Sequence, residues 1–242
     1  MLHRTEGIVL KTNPFGEADL IVTYITKDCG IVKTFAKSPR KTKSKFGSSL
    51  EPLTFSKISF WGKEDCALPR LVQSDIIYPF QFLRSSLSCF LKICEIFELT
   101  LNFVAERDAS NRVYALLVNM LRAMEADCQA GLLMLFYKIK LLDIAGYLPG
   151  LSGCGRCGQK GNVFYLSHGT VLCSRCSKDH NPASSLSPAV KSLFAHLLVW
   201  DMEKLHRIKP AEGIVQELSV LIDEHIKYIT ERNLRTRTFR VP

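Results

Sequence analysis

Leu20-Ile21-Val22-Thr23-Tyr24-Ile25, then Asp28-Cys29-Gly30, then Ile31-Val32-Lys33-Thr34-Phe35-Ala36: residues 20–36 hold two β-rich runs on either side of a turn. Working outward, Gly7-Ile8-Val9-Leu10 is a further β-rich run, separated from the first by the turn chemistry of Asn13-Pro14-Phe15-Gly16. Leu53, Phe55, Ile58 and Phe60 alternate except for a slip at Ser56-Lys57, which predicts a strand with a bulge. About five short strands before residue 80, with no long helix among them, predict a small barrel or sandwich. Among small barrels the OB-fold is the one that most often binds single strands, although a fold alone gives no function.

Beyond Pro79 the period changes to helical. Leu87, Phe90, Leu91, Cys94, Phe97, Leu101 and Val104 share one face, and helices are expected at 111–127 and 131–145. The last of these stops at Gly146, with Pro149 shortly after. Ser187-Pro188 reads as N-cap and first residue of another helix, and a final one spans roughly 211–232. The class is therefore α+β: a strand domain over 1–80 and a helical domain over 81–242, with an insertion at about 150–180.

That insertion holds Cys154, Cys157, Cys173 and Cys176, spaced C-x2-C, fifteen residues, C-x2-C. Two such knuckles can set four thiolates tetrahedrally around one Zn2+. The alternatives are two disulfides or four unrelated thiols. Four thiolates leave no open position for water or substrate, so a zinc here is structural rather than catalytic. Thiols reduced enough to hold a metal point to the cytoplasm. Cys29, Cys66, Cys89, Cys94 and Cys128 show no pairing by spacing and read as small buried apolar residues. His168 and His180 lie near the knuckles, but the four cysteines already fill the shell.

Net charge is +9 over 242 residues, and its placement says more than its sum. Residues 1–80 carry 12 Lys/Arg against 8 Asp/Glu. From Cys29 through Leu50 there is no acidic residue, while Lys33, Lys37, Arg40, Lys41, Lys43 and Lys45 are basic. The Ser38–Lys45 segment cannot be core and follows a strand directly. It reads as an exposed loop whose cations would track a phosphate backbone and release its counterions. The bland reading is a solvated loop with no partner. Phe35 and Phe46 flank it as base-stacking or core aromatics. The tail places Arg232, Arg235, Arg237 and Arg240 at short intervals with Phe239, either as added basic surface or as a frayed end.

No segment reaches about 18 uninterrupted apolar residues, so no membrane span is expected, and the first residues lack the pattern of a signal peptide. There is no phosphate-binding glycine loop, H-E-x-x-H or G-x-S-x-G, which argues against an enzyme.

Thr5-Glu6-Gly7-Ile8-Val9-Leu10-Lys11, Pro14-Phe15-Gly16-Glu17-Ala18-Asp19, Lys45-Phe46-Gly47 and Leu50-Glu51-Pro52 run in an order that resembles the RecO family of bacterial recombination mediators. So do Leu141-Leu142 with Ala145-Gly146-Tyr147 before the four cysteines, Leu186-Ser187-Pro188, and Leu234-Arg235-Thr236-Arg237. The resemblance implies an N-terminal OB-fold, then a helical domain with a zinc-binding insertion. It implies a cytoplasmic, nucleoid-associated DNA-repair mediator of the RecF pathway. Such a protein binds single- and double-stranded DNA, anneals strands coated with single-strand-binding protein (SSB) and helps RecR to load RecA. The implied DNA contacts are Lys33, Lys37, Arg40, Lys41, Lys43 and Lys45. One departure stands out. Many relatives open the helix before the Gly-Tyr with adjacent arginines that receive the acidic SSB tail; here that stretch is Leu132-Leu133-Met134-Leu135-Phe136-Tyr137, with Lys138 and Lys140 following. The alternative from another class is a non-enzymatic scaffold whose basic loop binds an acidic protein.

Overall fold

The structure, a computed structural model, describes all residues except 42–43, 64–65, 130, 179–183, 208 and 239–242, and the side chains of 237–238. The chain divides into two compact units, Met1–Cys128 and Gln129–Pro242.

The first unit begins with five strands: β1 (Leu2–Phe15), β2 (Asp19–Thr26), β3 (Gly30–Ala36), β4 (Phe55–Trp61) and β5 (Arg70–Tyr78). They close into a barrel in the order β1-β2-β3-β5-β4. All neighbours are antiparallel except β3 and β5, which meet in parallel at Phe35 and Arg70. A five-stranded closed barrel in this order is the OB-fold. Alternation sends Val9, Val22, Tyr24, Val32, Ala36, Ile58, Phe60 and Leu71 inward, where Phe46 and Leu50 join them. Two sequence expectations shift here. β1 runs on through Asn13-Pro14-Phe15, so the turn falls at residues 16–18. In β4 there is no slip: Ser56 fills an inward position, buried alongside Ile58 and Phe60 in alternation. The irregularities sit opposite, where Val72 and Ile77 are extra residues in β5 against β4.

The outer face of the barrel is partly covered. Ile8, Ile25 and Ile31 are cross-strand partners on the side away from Val9 and Tyr24, yet all three are buried. Helices α1 (Gln81–Ser85), α2 (Leu87–Phe103) and α3 (Asn111–Ala126) belong to the same unit, and the segment joining α2 to α3 docks on this end. The Arg107 amide donates to the Ile31 carbonyl at 2.9 Å. Gly30 has φ +63°, and a Cβ there would stand 2.6 Å from the Asp108 carbonyl carbon, so only glycine allows this approach. Tyr114 in α3 is pushed up to about 12 by burial and by the nearby charges of Glu6 and Asp28. Arg84 in α1 pairs with Glu51 and donates to the Pro52 carbonyl at 2.7 Å, which ties that turn to the helix. The compact unit therefore extends well past residue 80.

Cys89 and Cys128 do not stay separate as the sequence suggested. They form a disulfide, with Cα atoms 5.8 Å apart, between the start of α2 and the residues just after α3. Cys29, Cys66 and Cys94 are only half-buried.

The second unit is built on α4 (Leu133–Ala145), which is buried almost all round and so takes its centre. It ends at Gly146 in the left-handed conformation, φ +79°. A small sheet follows, with β6 (Val163–Tyr165) between β7 (Thr170–Leu172) and β8 (Ser184–Ser185). Two helices, α5 (Pro188–Val199) and α6 (Glu212–Thr230), pack with α4. The Ser187 hydroxyl caps α5 by accepting the Val190 amide at 3.2 Å. Among the described residues no helix is long and apolar enough to cross a membrane.

Candidate metal centre and nucleic-acid interface

In the C-x2-C knuckle the chain turns back so sharply that backbone amides face the first sulfur of each pair. The Cys154 thiol is held down to about 6 by the amide of Cys173, then by those of Arg156 and Cys157. The Cys173 thiol is lowered in the same way by the amides of Cys176 and Arg175. Hydrogen bonds from N–H groups stabilise a thiolate over a thiol. The cluster cannot shed every proton on that account alone: Cys176 is pushed up to about 12, first by its hydrogen bonds with Cys157 and Cys173.

All four sulfurs lie within 4.8 Å of one another, and Cys157 Sγ is 3.6 Å from Cys173 Sγ. Zinc–sulfur bonds of ~2.3 Å in a tetrahedron require sulfurs about 3.8 Å apart. The four cysteines read from the spacing are thus brought together at the scale one divalent cation needs, and the two-disulfide alternative does not appear. Tyr165 and Leu172 pack under the cluster from β6 and β7. Lys191 in α5 donates to the Gly161 carbonyl and to Asn162 Oδ1, fixing the segment between the knuckles to the helical framework. His168 bonds instead with Arg156 Nη2 at 3.1 Å and is outside the cluster; His180 lies outside the described residues.

The basic loop leaves the barrel at the end of β3. Asp19 Oδ1 accepts the Ser38 amide at 2.6 Å, and the Ala18 carbonyl accepts the Arg40 amide at 3.3 Å. At its far end Phe46 is buried in the barrel core, so of the two flanking aromatics this one is a plug. Lys37, Arg40 and Lys41 are exposed, with no side-chain hydrogen bond or ion pair among the described residues. Lys43 lies outside the described residues. Lys33 and Lys45 differ from the others: Lys33 pairs with Glu106, and Lys45 donates to the Val72 carbonyl while lying 5.2 Å from the Phe46 ring. No local signal could reveal the Lys33 pair, because its partner is 73 residues away. Asp19, the first residue of β2, thus anchors the loop through its carboxylate across 19 residues of chain.

Residues 1–80 match the family model described as Recombination protein O N terminal, and residues 91–238 match Recombination protein O C terminal. The chain belongs to the RecO family of DNA repair proteins. Among its relatives, the DNA repair protein RecO of Thermodesulfovibrio yellowstonii is 41% identical over 232 residues, covering 93% of this chain and 92% of that one. That of Dehalococcoides mccartyi strain 195 is 32% identical, covering 95% and 91%. That of a Nocardioides species is 34% identical, covering 99% of both.

Against the RecO pattern, the two lysines that follow the arginine-free start of α4 are turned to internal use. Lys138 is buried and pairs with Asp223 of α6 at 2.9 Å. Lys140 donates to the Leu198 carbonyl at 2.6 Å and lies 5.3 Å from the Phe136 ring. In the tail Arg232 and Arg235 are within the described residues, while Arg240 and Phe239 are not.

Proposed function

We propose that this chain is a non-enzymatic recombination mediator. It binds single- and double-stranded DNA through the loop cations, anneals complementary strands coated with SSB, and helps RecR to load RecA. The observation that carries this is the set of exposed cations, Lys37, Arg40 and Lys41, held on an OB barrel in a chain of the RecO family. Lys43 joins them by sequence, and Lys33 and Lys45 contribute from either side of the loop while keeping their internal partners. Annealing needs the repulsion between two phosphate backbones screened, and base pairing then supplies the driving force without ATP. The four cysteines hold a structural Zn2+, supported by the all-thiolate donor set and its spacing. With Lys138 and Lys140 occupied, the acidic SSB tail meets other residues than the helix start used in many relatives.

The test is annealing of SSB-coated complementary oligonucleotides across a salt titration without ATP, with wild type and with Lys37→Glu/Lys41→Glu. Wild type is expected to accelerate annealing, less so as salt rises. The double variant should bind both DNA forms more weakly and flatten the slope of log affinity against log salt for single strands by about 0.7 per lost phosphate contact. Equal affinity of variant and wild type at low salt refutes the loop assignment.

A further inference from the structure

A row of side chains crosses the outside of the barrel at the end where the basic loop emerges. Phe35 on β3 pairs with Arg70 on β5, Arg70 with Trp61 on β4, and Trp61 with Leu2 on β1. Directly paired residues share a face of the sheet. Their chain neighbours Ala36, Leu71 and Phe60 are buried in the barrel, so the row points outward. Phe15 continues it past Phe35, its ring edge-on at 5.8 Å. Trp61 is 59% exposed and Phe15 51%. Arg70 is exposed and has no side-chain hydrogen bond or ion pair among the described residues. Open aromatic surface of this kind marks a binding site on a soluble domain.

Its surroundings narrow the occupant. Lys37 lies two residues beyond Phe35, and Lys45 is held at the carbonyl of Val72, two residues beyond Arg70. The row itself contains no carboxylate, and the loop beside it comes from the acid-free stretch 29–50. The outer face of β2 and β3, which OB barrels use for oligonucleotides, is covered at its far end, where Ile8, Ile25 and Ile31 are buried. Towards the other end of that face, among the described residues, Lys33 is exposed and Phe35 half-buried. Rings alternating with an unpaired guanidinium suit a polyanion that has aromatic faces of its own, which is a single nucleic-acid strand.

We propose that Phe35, Arg70 and Trp61 form a base-stacking track for single-stranded DNA, with Trp61 and Phe35 each taking a base and Arg70 holding the phosphate between. Neighbouring strands lie ~4.8 Å apart, so two steps across the sheet separate the rings by about 10 Å, which leaves room for Arg70 to reach the backbone. Duplex bases are already stacked on each other and cannot reach the rings. The track therefore reads strandedness, while the loop cations serve both DNA forms. This rests on the DNA-binding reading above and adds to it the side chains that tell one strand from two.

Trp61 reports on itself. In a Trp200→Phe background, its emission is expected to be quenched to saturation by oligothymidylate and left unchanged by blunt duplex. Trp61→Ala should weaken oligothymidylate binding by about 5- to 150-fold, the range of one stacked base, and Trp61→Phe should restore most of it. Arg70→Ala should lower the single-strand salt slope by about 0.7. If wild type binds oligothymidylate and Trp61→Ala binds it equally well, the track is wrong while the DNA-binding reading stands. Equal quenching by duplex, or quenching by RecR and not by oligothymidylate, likewise overturns the track. If wild type binds neither DNA form, both readings fall together.

Discussion

His225 shows how a single side chain of α6 is committed to one protonation state. Its Nε2–H donates to the Tyr147 carbonyl at 2.9 Å, its ring stands edge-on to Phe164 at 5.8 Å, and its buried Nδ1 has no partner. Burial pushes its pKa below the usual histidine value, with the Tyr147 carbonyl pulling weakly the other way. The folded state therefore binds its proton less readily than the unfolded chain, whose histidines titrate near ~6.5. Stability is fully present above that pH and declines as pH falls through it, because unfolding then takes up a proton. Chemical denaturation between pH 7.5 and 5.5 should show the second unit losing stability on the acid side, and His225→Gln should flatten that loss. Identical profiles for the two proteins would dismiss the role. Lys138 illustrates the same commitment for a cation. Removing Asp223 would take away the carboxylate paired with this buried cation, a loss expected to destabilise the helical core.

At the scale of elements, legibility followed locality. The four cysteines were readable because their spacing lies within two short knuckles, each recognisable from local sequence alone. β2 and β3 were readable because two runs rich in β-branched and aromatic residues flank the turn Asp28-Cys29-Gly30. β5 was not named as a strand: Val72 and Ile77 each add a residue against β4 and break the period of two. Ser56 was misread because a small hydroxyl stands where the inner face usually shows a large apolar group. The run Ile8-Val9-Leu10 is apolar throughout because consecutive residues on both faces of β1 are buried there. The Cys89–Cys128 disulfide and the Lys33–Glu106 pair escaped for one reason: each joins segments that only the finished fold brings together. Metal binding offers a test at this scale. Protein purified without added zinc should carry about one equivalent, and Cys154→Ser should carry far less. That variant should also unfold more easily, since structural zinc contributes on the order of 10 kcal/mol to small zinc domains, while loop-mediated DNA affinity stays near wild type. A metal content far below one equivalent in the wild type would rule out the assignment.

At the scale of the whole chain, the family boundary near residue 80 and the boundary of compactness near Cys128 are different things. The first marks where the barrel's last strand ends. The second marks where the barrel's outer apolar surface is finally covered. A fragment of residues 1–128 should fold cooperatively with the same barrel as the full chain. A fragment ending at 80 would present Ile8, Ile25 and Ile31 to water, and would lose roughly 1.5–3 kcal/mol of burial for each. It should aggregate or melt well below the longer fragment in thermal scans followed by circular dichroism. Equal melting temperatures would show that the α2–α3 segment adds nothing to the barrel.

The anchoring of the basic loop has a further consequence. Its entry is clamped by the Asp19 carboxylate and its exit by Phe46 in the core, so its two ends meet at a distance set by the barrel rather than by chain statistics. On the DNA-binding reading proposed above, the conformational cost of bringing the two ends of the cationic segment together is met when the protein folds, not on binding. Added residues between the two clamps would raise the closure entropy only with the logarithm of loop length. Loss of either clamp would return the whole ordering cost to the binding step. On the same reading, Asp19 and Phe46 would matter through the loop ends they fix rather than through contacts of their own.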